Sequence, residues 1–118
     1  MVNTHIRHTK VIKTTNTKAH DLVGQCAPFK GHNTFGEFTR PNMYVVYSYG
    51  YHWPMYIYSY INHKWYRNTS KYSSTTSKQT TILKPHFLTD DDFIDCTLDE
   101  MQNVINHNKS FFKEVNNA

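Results

Sequence analysis

The chain has 118 residues, of which 38% are apolar and 15% aromatic, with only four Gly and four Pro. That size and balance fit one globular domain spanning 1–118 and exclude collagen-like, low-complexity and disordered chains. The net charge of +4 is polarised: 1–84 carries eleven Lys/Arg against Asp21 and Glu37 (+9), whereas 85–118 carries two Lys against seven acids (−5). Such an asymmetry fits either a contact face of one sign or two segments that neutralise each other on folding.

No apolar run at the N-terminus has the form of a signal peptide, and the Lys/Arg-free run 41–63 is too polar to span a bilayer. Cys26 and Cys96 match no zinc or redox spacing. The expected setting is therefore a reducing cytoplasm with no membrane partner.

In chain order, 1–15 is polar and basic, with Ile6, Val11 and Ile12 as its apolar anchors. It reads as a flexible arm or a short edge strand. Thr17 can cap a helix over 17–26 through Ala19, Leu22, Val23 and Cys26, which Pro28 terminates. Residues 30–42, with Gly31, Gly36 and Pro41, read as loop. The period then becomes two. Tyr44, Val46, Ser48 and Gly50 alternate with Val45, Tyr47, Tyr49 and Tyr51, and after Pro54 the side chains of Met55, Ile57 and Ile61 oppose Tyr56, Tyr58 and Tyr60. With a turn at Asn62-His63 and a return over 64–68, the β-rich core 43–82 reads as an antiparallel meander.

Hydroxyls crowd 71–81, favouring turns, strand ends and caps. The acidic part, 89–115, reads as helical. Thr89 precedes Asp90, Asp91 and Asp92 as an N-cap, and Thr97 with Glu100 forms a capping box. It opens a helix with Leu98, Met101, Ile105, Phe112 and Val115 on one stripe. The expected fold class is α+β: a three- or four-stranded antiparallel sheet, with the short N-terminal helix and the C-terminal helix packed on one face.

Ala19, Pro28-Phe29, Gly31, the strand Tyr-Val-Val-Tyr-Ser-Tyr-Gly over 44–50, Trp65, Lys71-Tyr72-Ser73 and Thr75-Thr76-Ser77-Lys78 together resemble a family of small, uncharacterised bacteriophage proteins. That family pairs a Ser-Tyr strand with a Lys-Tyr-Ser-x-Thr-Thr-Ser-Lys/Arg-His motif. The resemblance covers about half the chain, with the hydroxyl-rich run as its specific part. This chain departs from it at Gln79, which stands where the pattern has His, and in its acidic C-terminal extension. The resemblance implies a phage origin and a compact mixed fold, with no particular activity.

Three groups of residues are candidates for chemistry. The run 72–78, with Ser77 and Lys78, holds the elements of a Ser-Lys nucleophile, but adjacency supplies neither base geometry nor an oxyanion site, and capping accounts for it better. The eight histidines contain one close pair, His5 and His8, and no set of zinc ligands, so no metal and no cofactor is expected. Tyr56, Tyr58 and Tyr60, with Lys64, Trp65, Arg67, Lys71 and Lys78, form an aromatic-basic face. Such a face stacks on single-stranded nucleic acid, grips a protein, closes a homodimer or lies covered as core. Asp90, Asp91, Asp92 and Asp95 form an acidic contact patch able to imitate phosphates, or serve as helix caps.

The reading that follows is a phage-encoded, non-enzymatic binding protein that inhibits or modulates a host factor in the host cytoplasm, as an anti-CRISPR or anti-restriction protein does. Its partner is then a host protein or nucleoprotein complex. The alternative is a small basic protein that binds single-stranded DNA or RNA.

Overall fold

The computed structural model of the chain describes residues 10–39, 42–71 and 74–117, with side chains except at 74–76 and 108–117. His5, His8, Tyr72 and Ser73, and the side chains of Thr75, Thr76, Phe112 and Val115, lie outside the described set.

Seven strands follow one another across a single sheet in sequence order: β1 Ile12–Lys13, β2 Phe29–Lys30, β3 Thr34–Phe38, β4 Met43–Ser48, β5 Pro54–Ser59, β6 Lys64–Asn68 and β7 Phe93–Cys96. The inner pairs are antiparallel, whereas β1–β2 and β6–β7 are parallel. Helix α1 (Ala19–Gly24) connects β1 to β2, α2 (Ser74–Leu83) and a 3-10 turn (Asp90–Asp92) connect β6 to β7, and α3 (Leu98–Asn117) follows β7.

The expected three- or four-stranded meander is thus corrected to a seven-stranded mixed sheet. The meander exists as β4–β5–β6, but it is the middle of something wider. Parallel edge strands need a crossover, and the α1 and α2 segments supply one at each end. The hydroxyl-rich run at 71–81 is mostly α2, a helix of weak intrinsic propensity whose Leu83 and Gln79 are buried against the sheet. Residues 34–38, expected to be loop, form β3. Gly36 belongs in that strand because a Cβ there would collide with the Tyr44 hydroxyl and the Phe29 ring.

The helices are not on one face. Tyr44, Val46 and Tyr56 pack with Ala19 and Val23 of α1 and Leu83 of α2, while Val45 and Ile57, which alternate with them, pack with Met101 and Ile105 of α3. A sheet covered on both sides buries both phases of its alternation, which is why all six β4 residues are buried. Along β5, Tyr56 and Pro54 pair with consecutive residues of β4, so Met55 is the extra residue of a β-bulge. It accordingly joins Tyr56 on the α1–α2 side.

The capping box is as the sequence indicates: the Thr97 amide donates to Glu100 Oε1 at 2.8 Å, and the Glu100 amide donates to Thr97 Oγ1 at 3.2 Å. At Thr89 the amide donates to Asp92 Oδ2 at 2.7 Å, opening a 3-10 turn where a short helix was expected, and β7 then interrupts the segment 89–115 that was read as helical. No helix among the described residues is long and apolar enough to cross a membrane.

Candidate binding surface

The tyrosines of β5 are mostly interior. Tyr56 is 0% exposed, and its hydroxyl donates to the Thr80 carbonyl oxygen of α2. Burial holds this phenol well above the ordinary tyrosine range. Tyr58 and Tyr60 are half-buried and meet edge to face at 4.8 Å, while Tyr58 also packs on the buried Trp65 at 5.2 Å. Tyr56, Tyr58, Tyr60 and Trp65, read in the sequence as either a contact face or a covered one, lie on the side against which α1 and α2 pack. Ile61, expected in the core, sits in the β5–β6 turn and is exposed, whereas Met55 and Ile57 are buried as expected.

The cations of that expected face separate as well. Lys64, Lys71 and Lys78 are exposed. Arg67 lies over the Phe93 ring, with its guanidinium carbon 4.8 Å from the centroid. Its Nε donates to Asp95 Oδ1 at 2.8 Å and its Nη1 to Asp90 Oδ1 at 2.9 Å. Lys84 reaches the same Asp90 oxygen at 3.2 Å. The hydrogen bonds from Arg67 and Lys84 hold the Asp90 carboxyl below the usual aspartate range. Two acids of the expected contact patch are therefore spent on internal pairing, which is the neutralising version of the charge asymmetry. Asp91 and Asp92 remain exposed.

The opposite end of the sheet carries what the β5 face does not. Register places Lys13, Lys30, Phe35 and Tyr47 in one row across β1 to β4, and cross-strand partners share a face. Lys13 and Lys30 are exposed, and among the described residues no carboxylate pairs with either. Three open concavities adjoin at Lys30. One of about 610 Å³ runs along 13–16 and 30–32, one of about 340 Å³ lies between the 30–35 segment and Tyr49, and one of about 310 Å³ is walled by Val11, Phe35, Glu37 and Tyr51.

The aromatic part is pre-set. Phe35 stacks on Tyr47 at 5.1 Å, and Tyr51 meets both edge to face, at 5.2 and 4.9 Å. Tyr47 is the buried floor and Tyr51 is 62% exposed. The Tyr51 hydroxyl donates to Glu37 Oε1 at 2.9 Å, and this bond raises the phenol's pKa. A ring held on two sides and at its tip loses little rotamer freedom when a ligand lands on it.

Tyr49, 57% exposed, is fixed by the backbone. The Gly50 amide donates to the Ser48 carbonyl at 2.7 Å, and Tyr49 between them has φ +63°. That is the rare, strained form of the three-residue turn, and bulky residues in this region mark sites held by their surroundings. Here the surroundings are Asn33. Its carbonyl accepts the Tyr49 amide at 2.8 Å, and its Nδ2 donates to the Tyr49 hydroxyl at 3.0 Å.

Behind Asn33 runs a chain of amides whose polarity is determined by their partners. The Ser48 hydroxyl donates to Gln79 Oε1, Gln79 Nε2 donates to Asn33 Oδ1, and Asn16 Nδ2 donates to the same oxygen at 2.9 Å. Asn16 Oδ1 accepts from the His32 amide at 3.2 Å and the Thr34 hydroxyl at 2.8 Å. A Cβ on Gly31 would strike that oxygen, so the loop needs glycine there. With Asn33 Nδ2 donating to it, the Tyr49 oxygen keeps its own proton, and among the described residues nothing accepts it. Gln79, where the resembled pattern has His, is 3% exposed and ties α2 to this loop. An amide takes no proton from Ser48, so this line is a brace and not a catalytic relay.

Lys13, Lys30 and Phe35 were not singled out in the sequence, and Tyr49 and Tyr51 were read there as one phase of a strand, whereas β4 ends at Ser48 and both tyrosines lie in the connection to β5. The readable signals were Tyr49-Gly50 at a strand end and Gly31 between polar residues. Among the described residues no three His, Cys, Asp or Glu side chains converge to hold a metal. Comparison with family models, with curated proteins and with solved structures finds no match to this chain. What the surface can do is therefore argued from its own geometry.

Proposed function

We propose that this chain is a non-enzymatic binding protein whose partner is single-stranded nucleic acid, met either free or within a nucleoprotein complex. The observation that carries this reading is the juxtaposition of exposed, pre-set tyrosines, Tyr49 and Tyr51, with Lys13 and Lys30, which have no carboxylate partner among the described residues. Aromatic rings beside a basic track are the two elements that sequence-tolerant single-strand binding needs. The excess of cations in 1–84 gives long-range attraction of the right sign.

The test is fluorescence anisotropy of a labelled oligothymidylate. Binding should be measurable at about 50 mM salt and fall steeply towards about 200 mM, since each neutralised phosphate releases counterion. Flat curves at about 50 mM salt reject the reading.

A second reading keeps a specific observation of its own. Phe87 is 70% exposed, close in sequence to the acidic turn Asp90–Asp92. A large exposed apolar side chain near Asp91, an exposed acid with no cation paired to it among the described residues, suits a protein partner better than a nucleic acid. This supports an inhibitor or modulator of a host factor, of the anti-CRISPR or anti-restriction kind, acting in a phage-infected host. Capture of a host protein from nuclease-treated lysate, lost with Phe87→Ser and retained with Tyr51→Ala, is the outcome that favours it.

A further inference from the structure

The concavities that adjoin at Lys30 differ in chemistry, and the difference falls along the sheet row. On the β1 side, the 13–16 and 30–32 segments offer the Lys13 and Lys30 ammonium groups. On the far side of Gly31-His32, Tyr49 offers a hydroxyl proton with no acceptor among the described residues. These groups are donors, suited to an anion. On the β3 side, Phe35 and Tyr51 present ring surface, and the one carboxylate there, Glu37, is occupied by the Tyr51 hydroxyl. Lys13 and Phe35 lie two strand spacings apart, about 10 Å.

We infer that the Gly31-His32 loop with Lys13, Lys30 and Tyr49 is a phosphate subsite, and that the Phe35–Tyr51 shelf is the base platform beside it. This rests on the nucleic-acid reading above and deepens it. The ligand unit is an unpaired nucleotide, with its base on Tyr51 and its backbone phosphate against the two lysines. A duplex keeps its bases stacked inside, so it reaches only the phosphate subsite. Charge complementarity selects the occupant: an apolar or cationic partner would leave the two lysines uncompensated. The amide brace through Asn16, Asn33 and Gln79 holds the loop of the phosphate subsite in place, with Asn16 and Asn33 themselves lining its walls.

Three probes separate the parts: an oligothymidylate, an abasic strand of equal length, and a duplex. Tyr51→Ala should weaken oligothymidylate binding about tenfold, the scale of one lost base–aromatic stack, and leave abasic-strand and duplex binding unchanged. The Lys13→Ala/Lys30→Ala double variant should weaken all three probes. It should also lower the slope of log affinity against log salt for the single strands by about 1.4, two phosphate contacts' worth. Equal losses on the oligothymidylate and abasic strands with Tyr51→Ala, or an unchanged salt slope in the lysine variant, overturn the division into subsites while single-strand binding stands. No binding of any probe by the unaltered protein overturns the nucleic-acid reading itself. Both variants alter exposed side chains, and an unchanged melting temperature confirms that each is folded.

Discussion

Tyr51 lies in the β4–β5 connection and Tyr56 five residues on, in β5 itself, and they have opposite fates. Tyr56 is wholly buried, with its hydroxyl spent on Thr80 of α2, whereas Tyr51 is mostly exposed and propped from beneath by Phe35 and Tyr47. The difference is made by the layers outside the sheet. Over β4 to β6, α1 and α2 cover one face and α3 the other, so aromatic residues of either phase become core. Towards β1 to β3 the row Lys13–Lys30–Phe35 ends in exposed side chains and open concavities. An aromatic-rich strand is thus evidence of a sheet, and what lies over it decides whether the rings are core or contact surface.

The sharpest way to break this comparison is a pair of truncations. Tyr56→Ala should cost about 3–5 kcal/mol of unfolding free energy, the scale for deleting a large buried ring. Tyr51→Ala should stay within about 0.5 kcal/mol of the parent, as exposed substitutions do. Chemical denaturation of both variants reads the difference, and similar losses would mean that the two regions are not distinct.

Gln79→Leu comes next. It leaves the buried Ser48 hydroxyl without its acceptor and removes a donor from Asn33, at a cost of about 1–3 kcal/mol. Because the brace ends at the Tyr49 turn, oligonucleotide affinity should fall with stability. A variant that loses stability and keeps full affinity would separate the brace from the surface.

Smaller again is a test of two strained turns. His63, with φ +57°, lies in the β5–β6 turn, and Tyr49, with φ +63°, in the β4–β5 turn. Glycine relieves the left-handed backbone at either position. His63→Gly should stabilise by about 0.5–1 kcal/mol and leave binding unchanged. Tyr49→Gly should relieve the same strain and weaken binding. Equal binding by the two variants removes Tyr49 from the site.

The smallest effect expected is on the acid limb of stability. Asp90 has its carboxyl pKa depressed in the folded chain by Arg67 and Lys84, from an ordinary value of 3.8. A depressed carboxyl stabilises the fold above its unfolded pKa, and this contribution is lost as pH falls through the folded value. Asp90→Asn should therefore lower the melting temperature slightly at neutral pH and flatten its decline below pH 3.8. An acid limb identical to that of the parent would leave the Arg67 network without a role in stability.

Much of the central fold was legible because its signals are local. Period-two alternation marked β4 and β5, Asn62-His63 marked their return, and Thr97 with Glu100 marked the start of α3. The missed elements depend on distant partners. β2 is two residues long and exists by pairing with β3 and with β1, the edge strand that was one reading of 1–15. Gly36 looks like a loop residue until Tyr44 and Phe29 are seen against it. Serine and threonine dominate α2, so propensity argues against a helix that burial of Gln79 and Leu83 supports. The binding surface was hidden for the same reason. Lys13, Lys30 and Tyr51 are far apart in sequence, and the sheet brings them together.

The most direct test of the central claim is an NMR titration of the labelled protein with a short oligothymidylate, following backbone amides. The account predicts that the largest shifts fall at Lys13, Lys30, His32, Phe35, Tyr49 and Tyr51, while Tyr56, Tyr58, Tyr60 and Trp65 stay in place. Shifts concentrated on Tyr58, Tyr60 and Lys64, with the Lys30 region unmoved, would contradict it.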